Sequence, residues 1–162
     1  MLDRQWLTQD HHFAPGKELF RCDRDFAVWA YTVSHSQLLL RARTTATTGG
    51  RQTRIDVLFK PVQAVKTRTE YRDGLVIRCA TTDERDRILA DAGLADTNFR
   101  VFILPTPDGL DHVVAMGAGW CEDEQEDREP SSLAFFVPAT DPTRVLPTEH
   151  PVPWSTLQAE GQ

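Results

Sequence analysis

The chain has no long apolar stretch. Its hydrophobic runs are only a few residues long (Leu38 to Leu40, Val101 to Leu104), against the roughly 20 residues a spanning helix needs. Met1 to Gln9 carries no apolar core behind a basic patch, so no secretory signal is expected. Cysteine is scarce and odd in number. Cys22, Cys79 and Cys121 lie far apart with no C-x-x-C pair, which argues against a disulfide framework and a zinc ribbon. A reducing cytoplasm is the expected location. Lysine is almost missing, with 3 against 15 arginines, as a GC-rich coding bias would give. The catalytic and phosphate-binding signatures G-x-S-x-G, H-E-x-x-H and G-x-x-x-x-G-K-[ST] are also absent. Gly117-Ala118-Gly119 is a G-x-G, but an acidic stretch follows it rather than a helix N-terminus, so a dinucleotide phosphate would be repelled there.

What remains is one domain's worth of ordinary globular sequence: 162 residues, 40% hydrophobic and 26% charged. The formal charge of −6 conceals a split, with residues 41–80 carrying +6 and residues 105–162 carrying −9. Such blocks can neutralise one another inside the fold, or face different partners.

Along the chain, residues 1–25 are polar and mixed and read as an N-terminal arm with one short helix or strand. Residues 26–137 read as a single β-rich domain, and 138–162 as an extended tail with five prolines between Pro138 and Pro153. Phe26 to Val33 and Ser36 to Arg43 read as a hairpin joined at Ser34-His35, and Thr44 to Gly50 as a loop. In Thr53 to Lys60, Thr53, Ile55, Val57 and Phe59 alternate with Arg54, Asp56, Leu58 and Lys60, the period-2 pattern of a half-buried strand that Pro61 punctuates. Val62 to Thr69, Leu75 to Ala80 (after the Asp73-Gly74 turn), Arg100 to Leu104, His112 to Met116 and Leu133 to Val137 complete about eight strands. Thr81 and Glu84 form a capping box that opens one amphipathic helix over about 82–92, and Gly93 is placed to end it. Strands and helices do not alternate, so the expected fold is an antiparallel, β-dominated α+β domain. Its sheet is expected to be bent or to form a partly open barrel, with the helix packed on it.

The candidates for chemistry each have a plain structural alternative. The stretch Glu122 to Glu129 could gather a hard cation, dock a basic partner, or remain a solvated loop; it lacks the glycine and the acid spacing of an EF-hand. His35 lies between two serines at a hairpin tip near Trp29 and Tyr31, but neighbouring residues of an extended chain point to opposite faces and make no triad. His112 beside Asp111 is half a metal site at most, and His11-His12 is a terminal pair. The basic stripe, which includes Arg41, Arg43, Arg54, Lys60, Lys66, Arg68 and Arg78, could meet phosphates. It lacks the interleaved aromatics of single-strand readers, and nucleic acid is not the expected partner.

The segments Val33 to Arg43, Arg54 to Val62 and Glu122 to Leu133 resemble small β-rich bacterial domains. That resemblance implies a stand-alone bacterial protein and carries over no functional residue. The expected function is a non-catalytic binding or protein-interaction module with a protein partner, self-associating as a dimer, with no membrane attachment. Its expected binding residues are Trp29, His35, Arg41, Arg43, Arg54, Glu122, Asp123 and Glu126. No catalytic residue, metal ligand or cofactor is assigned. The competing expectations are a metal-assisted hydrolase using 122–129 with a histidine, and nucleic-acid binding through strands 41–78.

Overall fold

The computed structural model describes residues 1–46 and 49–133. Within them the period-2 segments become nine strands: β1 (Gln5–Leu7), β2 (Glu18–Cys22), β3 (Phe26–Thr32), β4 (Gln37–Ala46), β5 (Gln52–Lys66), β6 (Glu70–Tyr71), β7 (Leu75–Cys79), β8 (Arg100–Thr106) and β9 (Gly109–Asp123). One α-helix, α1 (Thr82–Asp91), separates β7 from β8. The strands form one open, antiparallel sheet in the order β2-β7-β8-β9-β5-β4-β3-β6. β1 pairs with Trp120, Gly119 and Ala118 of β9, past the point where β8 stops at Ala115. The sheet's end strands, β2 and β6, are not paired to each other. They approach through short links, where the Asp73 amide donates to Asp25 Oδ1 at 2.8 Å.

Several local expectations are modified by long-range pairing. Residues 1–25, read as an arm, supply two strands, because β2 pairs along β7 from Glu18 to Cys22 and β1 along β9. Thr53 to Lys60 and Val62 to Thr69, read as two strands, join in one 15-residue strand that ends at Lys66 and leaves Thr67 to Thr69 outside it. β9 pairs with it from Arg54 to Lys66 and accommodates Pro61 with a register shift between Val62 and Ala64. The hairpin link is a 3₁₀ turn over Val33–His35, closed by Ser36 in the left-handed region at φ 46°. Of the segment Leu133 to Val137, all but Leu133 lies outside the described residues, as does the whole of 138–162.

The inner face of the bent sheet holds the main core. Ile55, Val57 and Phe59 of β5 point into it with Leu40, Phe102 and Trp120, and the Phe59 and Phe102 rings lie 5.4 Å apart. α1 covers the outer side of β8 and β9, burying Leu89 against Val101, Ile103 and Val114; full burial of one such leucine is worth about 2 kcal/mol. Its capping box forms as the sequence predicts: Glu84 N donates to Thr81 Oγ1 at 3.3 Å, and Thr81 N to Glu84 Oε2 at 2.9 Å. A third small cluster lies on the outer face of β4, β5 and β9, where Leu39, Leu58 and Cys121 meet Leu133.

Candidate functional site

On β4 and β5 the outer face is not the solvent face that alternation suggests. Arg41 is 1% exposed, Arg54 0% and Asp56 1%. The cover is the acidic segment itself, which leaves β9 at Asp123 and folds back across them. The planar five-donor fork of arginine suits this geometry. Arg41 grips Asp56 through both carboxylate oxygens at 2.6 and 2.8 Å, and donates its remaining nitrogen to the carbonyls of Asp127 and Glu129. Arg54 grips Asp123 at 2.7 and 3.3 Å and donates to the carbonyls of Glu126 (2.7 Å), Glu129 (2.6 Å) and Pro130 (2.9 Å). Residues 124–133 are thus a strap held down by two buried guanidiniums.

Asp127 of the strap and Glu122, on β9 just before it, have engaged carboxylates as well. Thr44 donates its amide and its hydroxyl to Asp127 Oδ1, each at 2.6 Å. Desolvation pushes the Asp127 carboxyl up, but the Thr44 bonds and the charges of Arg41 and Arg43 outweigh it and hold the group below its ordinary value. Glu122 is likewise raised by desolvation and lowered further by Thr53 (2.5 Å) and the Leu2 amide (2.7 Å), with Arg24 3.9 Å away. The −9 and +6 blocks therefore meet in part inside the fold. Among the described residues, at least six of the nine basic residues between Arg41 and Arg78 pair with a carboxylate, three of these carboxylates coming from the basic block or the helix rather than the C-terminal third. Among the described residues the strands 41–78 present a face of paired rather than continuous free cations.

The strap creates a cleft. Its end, Arg128 to Ser131, stands as one wall of a space of about 230 Å³ floored by Leu39 and Leu58, with Trp29 and Thr32 as the opposite wall. Trp29 is the extra residue of a β-bulge, since Val28 pairs with Leu40 but Ala30 with Leu39; a bulge re-aims the side chain it inserts. The Arg41 and Arg43 guanidiniums lie 5.1 and 5.8 Å from the centroid of its ring. Gln37 faces Thr32 across the β3–β4 ladder. Its carboxamide is buried, the residue being 2% exposed, yet neither Oε1 nor Nε2 has a hydrogen-bond partner among the described residues, and nor does Thr32 Oγ1. Leaving a buried polar group unpaired costs about 1–3 kcal/mol, so these three atoms mark a place beside the cleft where a further hydrogen-bond partner would stabilise the structure. Gln37 also lines a second cleft of about 340 Å³, on the same face, with Trp6, Pro61 and Met116. A larger space of about 490 Å³ lies between Arg24, Arg43, Arg72 and Glu70, but two of its cations are already committed. Arg24 donates to the carbonyls of Arg43 and Thr53, and Arg72 to Glu70.

The residues expected from sequence fall into two groups. Trp29 and Arg41 line the first cleft, and Arg43 lies over the Trp29 ring while lining the larger space. Arg54 and Asp123 are internal fastenings of the strap, and Glu122, on β9, ties Thr53 of β5 to the Leu2 amide. Glu126 contributes its carbonyl to Arg54 while the residue itself is exposed. His35 is exposed, its Nδ1 is 3.0 Å from Ser34 Oγ, and it touches only the rim of the second cleft. His112 pairs with Lys66 at one end of β9 and Asp123 with Arg54 at the other. They are separated by roughly 35 Å of strand at about 3.3 Å per residue, so His112 and the acidic segment cannot share an ion. Burial and the neighbouring Lys66 lower the His112 pKa, and Asp111 offsets them only in part. Among the described residues no three His, Cys, Asp or Glu side chains converge where they could hold a metal, and no helix is long and apolar enough to cross a membrane.

Gln37 and Thr32 were not among the expected site residues. Nothing local in Thr-Val-Ser-His-Ser-Gln marks them, because their isolation arises from a cover supplied some 90 residues later. No protein-family model, curated protein or solved structure matches the chain.

Proposed function

We propose that the chain is a non-catalytic binding module that takes a protein partner on its outer face, around Gln37. The observation that carries this reading is the buried carboxamide of Gln37 beside the hydroxyl of Thr32, both without a partner among the described residues, at a cleft walled by Trp29. A carboxamide neither takes up nor releases a proton in the ordinary pH range, and the Thr32 hydroxyl has no base bonded to it to make it a nucleophile. Such groups recognise a ligand; they do not transform it. The strap fits the same reading, since it holds one wall of the cleft rigid before any ligand arrives and so lowers the ordering cost of binding.

Self-association and a reducing compartment belong to the proposal. β3 past Val28 has no strand on its second side among the described residues, and Tyr31 there and Val33 in the turn that follows are 50% and 83% exposed, an edge open to a second copy. The three thiols are free. The test of the binding site is a titration of ¹⁵N-labelled protein with acetamide, the smallest probe with a matching donor and acceptor. Saturable shifts of the Gln37 side-chain NH₂ and Trp29 indole resonances, lost in Gln37→Met, are expected. Shifts that are scattered over the surface and persist in Gln37→Met would count against it.

A further inference from the structure

The space around Gln37 has both a shape and a polarity. Because Gln37 lines both outer-face clefts, the space runs past the carboxamide on two sides, towards Trp29 in one direction and Trp6 in the other. Trp29 stands on β3 and Trp6 on β1, with β4, β5 and β9 between them. Four inter-strand steps of about 4.8 Å put the two indoles roughly 19 Å apart, the span of about six residues of extended chain. Each end offers an indole in mixed surroundings: Leu58 lies beside Trp29, whose ring carries the Arg41 and Arg43 guanidiniums, and Pro61 and Met116 lie beside Trp6, whose ring has the Lys60 ammonium 4.9 Å from its centroid; the polar atoms without a partner among the described residues, Gln37 Oε1 and Nε2 and Thr32 Oγ1, belong to the stretch around Gln37.

A carboxamide presents a donor and an acceptor side by side, the complement of the N–H and C=O of one residue in an extended chain. A compact heterocycle would fill one cleft and leave the other empty. A nucleic-acid strand would meet mixed rather than cationic walls: Arg41 is bound to Asp56 and the strap carbonyls, Arg128 stands beside Glu129 on the strap wall, and Lys60 lies over the Trp6 ring. Resting on the binding reading above, we infer that the occupant is an extended peptide segment of the partner protein that crosses the outer face of β4, β5 and β9. Its central residue exchanges a pair of hydrogen bonds with the Gln37 carboxamide, and apolar side chains on either side of that residue lie against Trp29 and Trp6. Main-chain pairing supplies affinity and the two indole pockets supply selectivity, the division of labour common in recognition of extended peptides.

The test is selection of a phage-displayed random decapeptide library on the full chain, followed by fluorescence anisotropy with a selected peptide. Enriched sequences are expected to place apolar residues on both sides of a less constrained centre. Gln37→Met should weaken binding at least tenfold, as should N-methylation of one central amide of the peptide. Arg87→Ala, an exposed change on α1, should leave the affinity unchanged, and an unaltered unfolding midpoint would show that Gln37→Met remains folded. Trp6→Ala and Trp29→Leu should each remove one of the two apolar preferences in a repeated selection. Absence of enrichment over a blank surface, or selected peptides that bind Gln37→Met as tightly as the parent chain, would overturn the peptide assignment. If acetamide shifts Gln37 while no peptide is selected, the cleft is a binding site for another class of ligand. If neither occurs, both readings fail.

Discussion

Replacing Arg54 with methionine should release the strap without unfolding the sheet. Arg54 is wholly buried and makes five hydrogen bonds, two to the Asp123 carboxylate and three to strap carbonyls. Charge-assisted bonds are worth about 1.5–3 kcal/mol each when taken singly, but their sum is only an upper bound, because the freed carbonyls regain water once the strap lifts. Removing one partner of a buried ion pair costs about 3–5 kcal/mol. Asp123 is already 22% exposed and can rehydrate, which favours the lower end of that range. A loss of about 3 kcal/mol is expected in urea unfolding, a large share of a typical 5–15 kcal/mol total. The local signature is at Cys121, which is buried beneath Leu133, has its Sγ 3.1 Å from Ser132 Oγ, and has its thiol pKa pushed up by burial. In a Cys22→Ser, Cys79→Ala background its reaction with a disulfide reagent should be slow in the parent and at least tenfold faster in Arg54→Met, well below the unfolding midpoint. Equal labelling rates, together with a stability change under 1 kcal/mol, would refute the role given to Arg54.

Two further outcomes follow from the geometry. Glu84 is held at about 2, first by its bonds to Arg78 at 2.7 and 2.8 Å and then by its capping contacts. Because its folded value lies below its unfolded one, its contribution is complete above about pH 4.3 and is lost as pH falls towards 2. Allowing for partial exposure, Glu84→Gln should cost on the order of 2 kcal/mol at pH 7, and the difference from the parent should vanish in acid denaturation near pH 2. Gly119→Ala would set a Cβ 2.0 Å from Trp6 Cε3 and 2.7 Å from the Gln5 carbonyl, so β1 must move off β9. A loss of about 1–3 kcal/mol, with rapid amide exchange confined to residues 5–7, is expected.

Legibility in the sequence follows the range of the interactions. The capping box at Thr81 and Glu84 was readable because both partners lie within one turn. The inward set Ile55, Val57 and Phe59 was readable because one face of a strand packs on the main core. The other half of that pattern misled: Arg54 and Asp56 look solvent-facing by alternation, yet they are buried under a segment that arrives 70 residues later. The same distance explains the acidic stretch. Composition presents it as a loose, repelling loop, whereas its backbone carbonyls, which composition does not describe, are what the two buried arginines bind. β1 and β2 are not legible locally because short polar segments become strands only when a partner such as β9 or β7 offers an edge. Of the binding cleft, Trp29 and Arg41 were visible as residue types; Gln37 and Thr32 were not.

The central claim is that Gln37 is kept for a ligand rather than for the fold, and its most direct test is the unfolding midpoint of Gln37→Met in the absence of any partner. Methionine fills a similar volume without the buried carboxamide, which has no partner among the described residues. The variant should therefore unfold at the same or a higher denaturant concentration than the parent, with a gain of up to about 1–3 kcal/mol. A loss of more than 1 kcal/mol would contradict the account, since it would mean that the carboxamide holds the structure together.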